Sequence, residues 1–299
     1  LILFSCILLT VNAQDWNIPK VGDGGWEVEQ EFTLNKKRRN ILLISEASAY
    51  TVALVGLNQL WYADYPKSSF HFINDNEEWL QMDKMGHMSA SYYTGVAGIK
   101  AYEWAGFSRK NAIWYGGMTG SIFLTVIEVL DGTSEQWGAS SGDLIANTTG
   151  SLLAIGQALK WNEQRIQLKY SYSPSNMAAN NPEQLGSNHL ERALKDYNGQ
   201  TYWLTLNLKS LLQIENPNFP SWLSLALGYG ADEMVNPYHE EGDAERYRQF
   251  LMSFDVDLNK IKTKNKTLNS VLHTFGFLKF PTPAIQYTNR NIFFHPIYY

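Results

Sequence analysis

The sequence predicts an α+β protein: an N-terminal bundle of about four semi-apolar helices, followed by an antiparallel β region packed on it. Two observations carry this. Between Ile41 and Asn162 the apolar residues run in stretches of helical length, separated by polar or proline-containing breaks. After about residue 165 the apolar period changes to two, and turn residues separate the alternating segments.

The first helix is expected from Ile41 to about Ala63, ended by Pro66. A loop through Asn74-Asp75-Asn76 leads to the second, about Met82 to Trp104, which opens with Asp83. The third is expected from about Arg109 to Leu130 with Ser108 as its N-cap, and the fourth from about Ser141 to Lys160, capped by Ser140 or Ser141. Glycines recur inside them, at Gly95, Gly98, Gly116, Gly117, Gly120, Gly150 and Gly156. An interior glycine costs a helix roughly 0.5–1 kcal/mol relative to alanine in water, so such spacing suits helices that must approach closely, as in membranes.

The strands are expected over Arg165–Ser173, Thr201–Lys209, Ser221–Gly230 and Gln249–Leu258. In the third, Leu223, Leu225, Leu227 and Tyr229 share one face; in the fourth, Phe250, Met252, Phe254, Val256 and Leu258 do. Pro281, Pro283 and Pro296 suit residues 275–299 to edges and loops rather than central strands. Four or five strands cannot close a transmembrane barrel unaided.

The chain opens LILFSCILLTVNAQ, an apolar core ending in Val11-Asn12-Ala13. This reads as a signal peptide over residues 1–13, cleaved before Gln14. The one cysteine, Cys6, lies within it, so the remainder offers neither a disulfide nor a thiolate metal site. Residues 14–40 read as a polar lead-in closing with the basic cluster Lys36-Lys37-Arg38-Arg39. Net charge is −5, which points away from nucleic acid and leaves membrane lipid or envelope proteins as partners. An aromatic content of 14% is compatible with a membrane-interface belt.

Three polar pairs interrupt the apolar helices: Asp83/His87, Glu128/Asp131 and Asp143/Asn147. Spacings of three and four place both members of each pair on one helical face. Unpartnered burial of such groups costs roughly 1–3 kcal/mol each, so a shared reason is expected: convergence into one polar centre. One reading makes His87, Glu128 and Asp143 catalytic groups or ligands to Zn, Mn or Fe. The other makes Asp83, Lys84, Asp131 and Asn147, with them, a hydrogen-bonded network that fixes helix registry. No H-E-x-x-H is present, and the residues choose neither a metal nor a cofactor.

The order Asp83-Lys84-Met85-Gly86-His87, then Glu128-Val129-Leu130-Asp131, then Gly142-Asp143-Leu144-Ile145-Ala146-Asn147 with Gly150, resembles the YfiM-like domain of unknown function, described as predicted periplasmic lipoproteins. A looser likeness to VanZ-like membrane proteins rests on the same residues. The match covers about residues 80–160. The strand-rich remainder resembles the longer forms found in Bacteroidetes, notably at Lys195–Leu204. The resemblance implies an exported protein of the periplasm or outer membrane of a Gram-negative bacterium and brings no activity. The expected function is a membrane-associated structural or assembly factor; the alternative is a lipid- or glycan-directed envelope enzyme using His87, Glu128 and Asp143.

Overall fold

A computed structural model of the protein describes residues 34–63 and 65–299. The expected signal peptide with Cys6, and the lead-in up to residue 33, lie outside them. The architecture is α+β: helices dominate the first half and one six-stranded antiparallel sheet the second. The chain divides into two units. The first holds the residues up to His71, Ala90–Ala139 and Asn147–Leu159; the second holds Phe72–Ser89, Ser140–Ala146 and Lys160–Tyr299.

The first unit is built on four helices: α1 (Lys36–Leu57), most of α2 (Met82–Trp104), α3 (Arg109–Asp131) and most of α4 (Ser141–Trp161). Helix α1 starts at Lys36, so the basic cluster forms its first turn instead of a lead-in, with Asn35 as N-cap accepting from the Arg38 amide at 3.0 Å. The Arg38 guanidinium lies 5.3 Å from the Trp104 ring centre. Helices α2 and α3 touch backbone to backbone at their glycines. A Cβ on Gly95 would stand 2.6 Å from the Gly117 carbonyl oxygen, and one on Gly116 would collide with the Gly98 backbone. Ser91 Oγ donates to the Asn147 carbonyl at 2.5 Å and lies 2.9 Å from Ser151 Oγ, which accepts from the Ser121 amide at 3.2 Å. Hydroxyl links between closely approaching helices are typical of bundles in lipid. Helices α1 and α3 are long and apolar enough to cross a membrane by length and composition. No residue of α1 is buried, and Ile44 is 68% exposed.

The second unit carries the sheet: β1 (Ile166–Tyr172), β2 (Gln200–Asn207), β3 (Leu223–Asp232), β4 (Tyr247–Val256), β5 (Thr282–Thr288) and β6 (Asn291–Tyr298), hydrogen-bonded in sequence order. Residues 275–299 supply two strands, one of them internal. Pro283 is accommodated in β5 because it sits at a register shift between Thr282 and Ala284, and Pro296 stands in the edge strand β6. The sheet is curled enough for Tyr298 of β6 to reach β2 on the inner side, its hydroxyl 2.9 Å from Thr201 Oγ1 and its ring edge-on to Trp203.

The inner face of this sheet encloses a small apolar core, Trp203, Ala226, Leu251 and Ala284, with many polar groups beside it. The inner face buries Ser224, Ser253, Gln167 and a wholly enclosed ion pair, Lys169–Asp255 at 2.6 Å. The apolar faces of β3 and β4 are the open ones, with Leu227, Phe250, Met252 and Phe254 each exposed. Toward Tyr202 and Tyr229 the outer side is covered, by a core of Trp79, Met82, Ala178, Leu185, Ala231 and Met234.

Candidate functional site

The second unit gathers Asp75, Asp83, Lys84, His87, Ser140 and Asp143. The site begins with a turn that the sequence gives no sign of. Trp79, Leu80 and Gln81 all have left-handed backbones, at φ 47°, 49° and 67°. None is glycine, so the turn stores about 1–2 kcal/mol per residue. Anchors from the sheet side hold it. The Trp79 amide donates to the Pro237 carbonyl at 3.0 Å, Tyr229 Oη to the Leu80 carbonyl at 2.5 Å, and Arg248 Nη2 to Gln81 Oε1 at 2.9 Å. The turn leads directly into α2, whose first residues are Met82, Asp83 and Lys84.

Lys84 is the hub. Its ammonium lies 2.7 Å from Asp75 Oδ2, 2.8 Å from Asp83 Oδ2 and 3.0 Å from Asp143 Oδ1, and the side chain is 12% exposed. One cation thus ties the loop before α2, the first turn of α2 and the first turn of α4. Ser140 adds a second tie: as N-cap of α4 it accepts from the Asp143 amide at 3.0 Å while donating to Asp75 Oδ1 at 2.5 Å. The motif glycines have steric reasons. A Cβ on Gly142 would stand 2.9 Å from Lys84 Cε and collide with Asn76, and one on Gly86 would stand 3.0 Å from the Tyr202 hydroxyl.

Electrostatics follow from that arrangement. Burial alone would raise the Asp75 carboxyl, but hydrogen bonds from Lys84 and Ser140 outweigh it and hold it below the usual range. For Asp83 burial prevails, and its carboxyl is raised despite Lys84. Asp143 is likewise raised by burial against the opposing pull of His87 and Lys84. Burial would depress Lys84, yet Asp83 and Asp143 raise it well above its ordinary value, so the ammonium stays charged. Asp75, Glu78 and Asp83 offer carboxylate oxygens within 4.8 Å of one another, a spacing that fits a cation. The ammonium of Lys84 already lies against two of the three. Asp83 Oδ1 is buried with no hydrogen-bond partner among the described residues.

His87 stands at the margin, Nε2 4.0 Å from Asp143 Oδ1, with a quarter of its side chain exposed. The remaining sequence-predicted residues belong to the first unit. Glu128 is buried in α3; Asp131 accepts from the Tyr62 hydroxyl at 2.6 Å; Asn147 is fully buried with its carbonyl bonded by Ser91. Sequence reasoning missed Asp75 and the bridging role of Ser140. An aspartate within Asn-Asp-Asn looks like ordinary turn chemistry, and only the fold brings it to Lys84.

Residues 70–157 match a family described as Predicted periplasmic lipoprotein (DUF2279). The match starts just before Asp75 and ends within α4, so it encloses all the residues of the Lys84 cluster. It supports an envelope protein at an exported location, in the periplasm or at the outer membrane. The chain finds no match among curated proteins or solved structures.

Proposed function

We propose that this chain is a membrane-associated structural or assembly factor of the bacterial envelope, with the Lys84 cluster as a fixed polar brace and not a reacting centre. The observation that carries the reading is Lys84 itself. Its ammonium occupies the place among Asp75, Asp83 and Asp143 that a metal ion or a cationic substrate group would need. A buried cation met by three carboxylates fixes geometry well, and registry is the best-attested use of such groups. Association with lipid is supported by the two helices of membrane-crossing length, the exposed apolar residues of α1 and the glycine contacts between α2 and α3. Membrane lipid or envelope proteins are the partners this reading implies, in the periplasm or at the outer membrane.

A second reading, a lipid- or glycan-directed enzyme using His87, Glu128 and Asp143 with or without a metal, is favoured by one observation. His87 is more exposed than Asp83, Lys84 or Asp143, as a proton-transferring group would need to be. The two separate in cells depending on the protein. Under the brace reading the protein stays in the membrane pellet after a salt wash, and His87→Ala alters the cellular phenotype only as far as it lowers protein stability. A His87→Ala protein that melts like the parent yet loses the phenotype would overturn the brace in favour of the enzyme.

A further inference from the structure

We propose that the outer face of the six-stranded sheet is a lipid-facing wall, its occupant the acyl chains of a bilayer. This deepens the membrane association proposed above and rests on it. The register aligns Leu227, Met252, Ile285 and Phe294 in one row across β3 to β6. Next to it lies the row Tyr229, Phe250, Tyr287 and Ile292. Apart from the half-buried Tyr229, each of these side chains is 43–73% exposed. Between Arg248 and Val256 every outward position of β4 is apolar, and β3, β5 and β6 add no charge to that face.

Three features select hydrocarbon over water or a protein partner. The first is polarity: the inner face carries the Lys169–Asp255 pair and the hydroxyls beside a small core of Trp203, Ala226, Leu251 and Ala284, and the two long apolar rows lie on the outer face, as in outer-membrane barrel walls. The second is where charge resumes. At one end Arg248 follows the aromatic row, and Arg290 sits in the β5–β6 turn. At the other, exposed Lys262, Lys264 and Lys266 follow β4, and Trp222 precedes β3. Aromatic residues and then charges at both ends of a charge-free band match the two interfaces of a membrane, and the lysines suit anionic headgroups. The third is length. Phe250 to Val256 spans about 20 Å at about 3.3 Å per residue, close to the apolar band of about 25 Å on such walls. Charges at both ends and none between run the strands across the hydrocarbon. The sheet has two edges, β1 and β6, whose backbone groups need partners in that setting; Tyr170 of β1 already pairs with Phe277 and Lys279, and Pro296 removes one donor from β6.

Spin labelling of the full chain in phospholipid vesicles tests this, with single cysteines placed in a Cys6→Ser background. Labels at Met252→Cys, Ile285→Cys and Phe294→Cys report the face, Lys264→Cys and Arg290→Cys its two ends, and Ile44→Cys the exposed side of α1. Hydrocarbon admits oxygen and excludes a charged nickel chelate, so the oxygen-to-nickel accessibility ratio is expected to be about tenfold higher on the face than at the ends. Nickel-accessible labels on the face would overturn the proposal, as water contact. Labels shielded from both reagents would also overturn it, in favour of a protein partner or a second copy. A wet face beside an oxygen-accessible Ile44→Cys rejects this wall alone; a wet Ile44→Cys label rejects membrane insertion of α1.

Discussion

Replacing Lys84 with methionine removes the one cation that three carboxylates share, and the geometry sets the size of the effect. The contacts of 2.7, 2.8 and 3.0 Å join side chains that are all at most 12% exposed. At an effective dielectric near 20 each contact carries about 6 kcal/mol of gross attraction, most of it cancelled by desolvation. Removing one partner of such a buried group costs about 3–5 kcal/mol, because uncompensated charge stays behind. At about 2 °C per kcal/mol for a chain of this size, melting is expected to fall by about 6–10 °C. The deficit must also depend on pH. Asp83 and Asp143 have raised folded-state pKa values, so falling pH neutralises them and removes the need for an ammonium. Thermal unfolding of Lys84→Met followed by circular dichroism in detergent, at about pH 8 and about pH 5, should show the larger loss at the higher pH. A variant as stable as the parent at the higher pH, or a loss equal at both, would refute the reasoning. In the parent, Lys84 is raised, so its contribution is fully present below the unfolded value of 10.5 and is lost as pH climbs through the folded one.

Further outcomes are expected elsewhere in the chain. Gly116→Leu should destabilise the helical unit severely, because the new side chain meets the Gly98 backbone. Gly56→Ala, with nothing within 4 Å, should be neutral or stabilise by up to about 1 kcal/mol in the same melts. Asp255→Asn should cost about 3–5 kcal/mol in denaturant titrations, since it removes the carboxylate that lies 2.6 Å from the buried Lys169 ammonium and 4.0 Å from that of Lys279. Lys279 is lowered to about 8 by burial, against the pull of Asp255, so the unfolded chain binds the extra proton between that value and 10.5. Stability from this group should therefore rise with pH across that window, and Lys279→Met should abolish the rise.

Much of the fold was legible because it is written in local period. Helical spacing before residue 162 and alternation after 165 mark α2, α3 and α4 and the first four strands to within a few residues. The Ser140 and Ser108 caps were legible for the same reason, since a cap depends on three neighbouring residues. The last two strands were not, because proline is a local signal against a strand, whereas a register shift and an edge position that admit it are properties of the neighbouring strands. In the candidate site, Asp83, Lys84, His87 and Asp143 stood out as charges on apolar helices. Asp75 did not, because a turn aspartate becomes a partner of Lys84 only through the left-handed Trp79–Gln81 turn that Tyr229 and Arg248 hold in place.

Sequence alone therefore determined the identity and order of the four long helices and the first four strands, and residues whose charge needs a partner. Which face of the sheet is inside was decided by tertiary structure. Alternation says that two faces differ, but the curl that brings Tyr298 onto Trp203 and Lys169 onto Asp255 encloses the polar one. Burial depends on what lies opposite a face, and that partner is set by contacts distant along the chain.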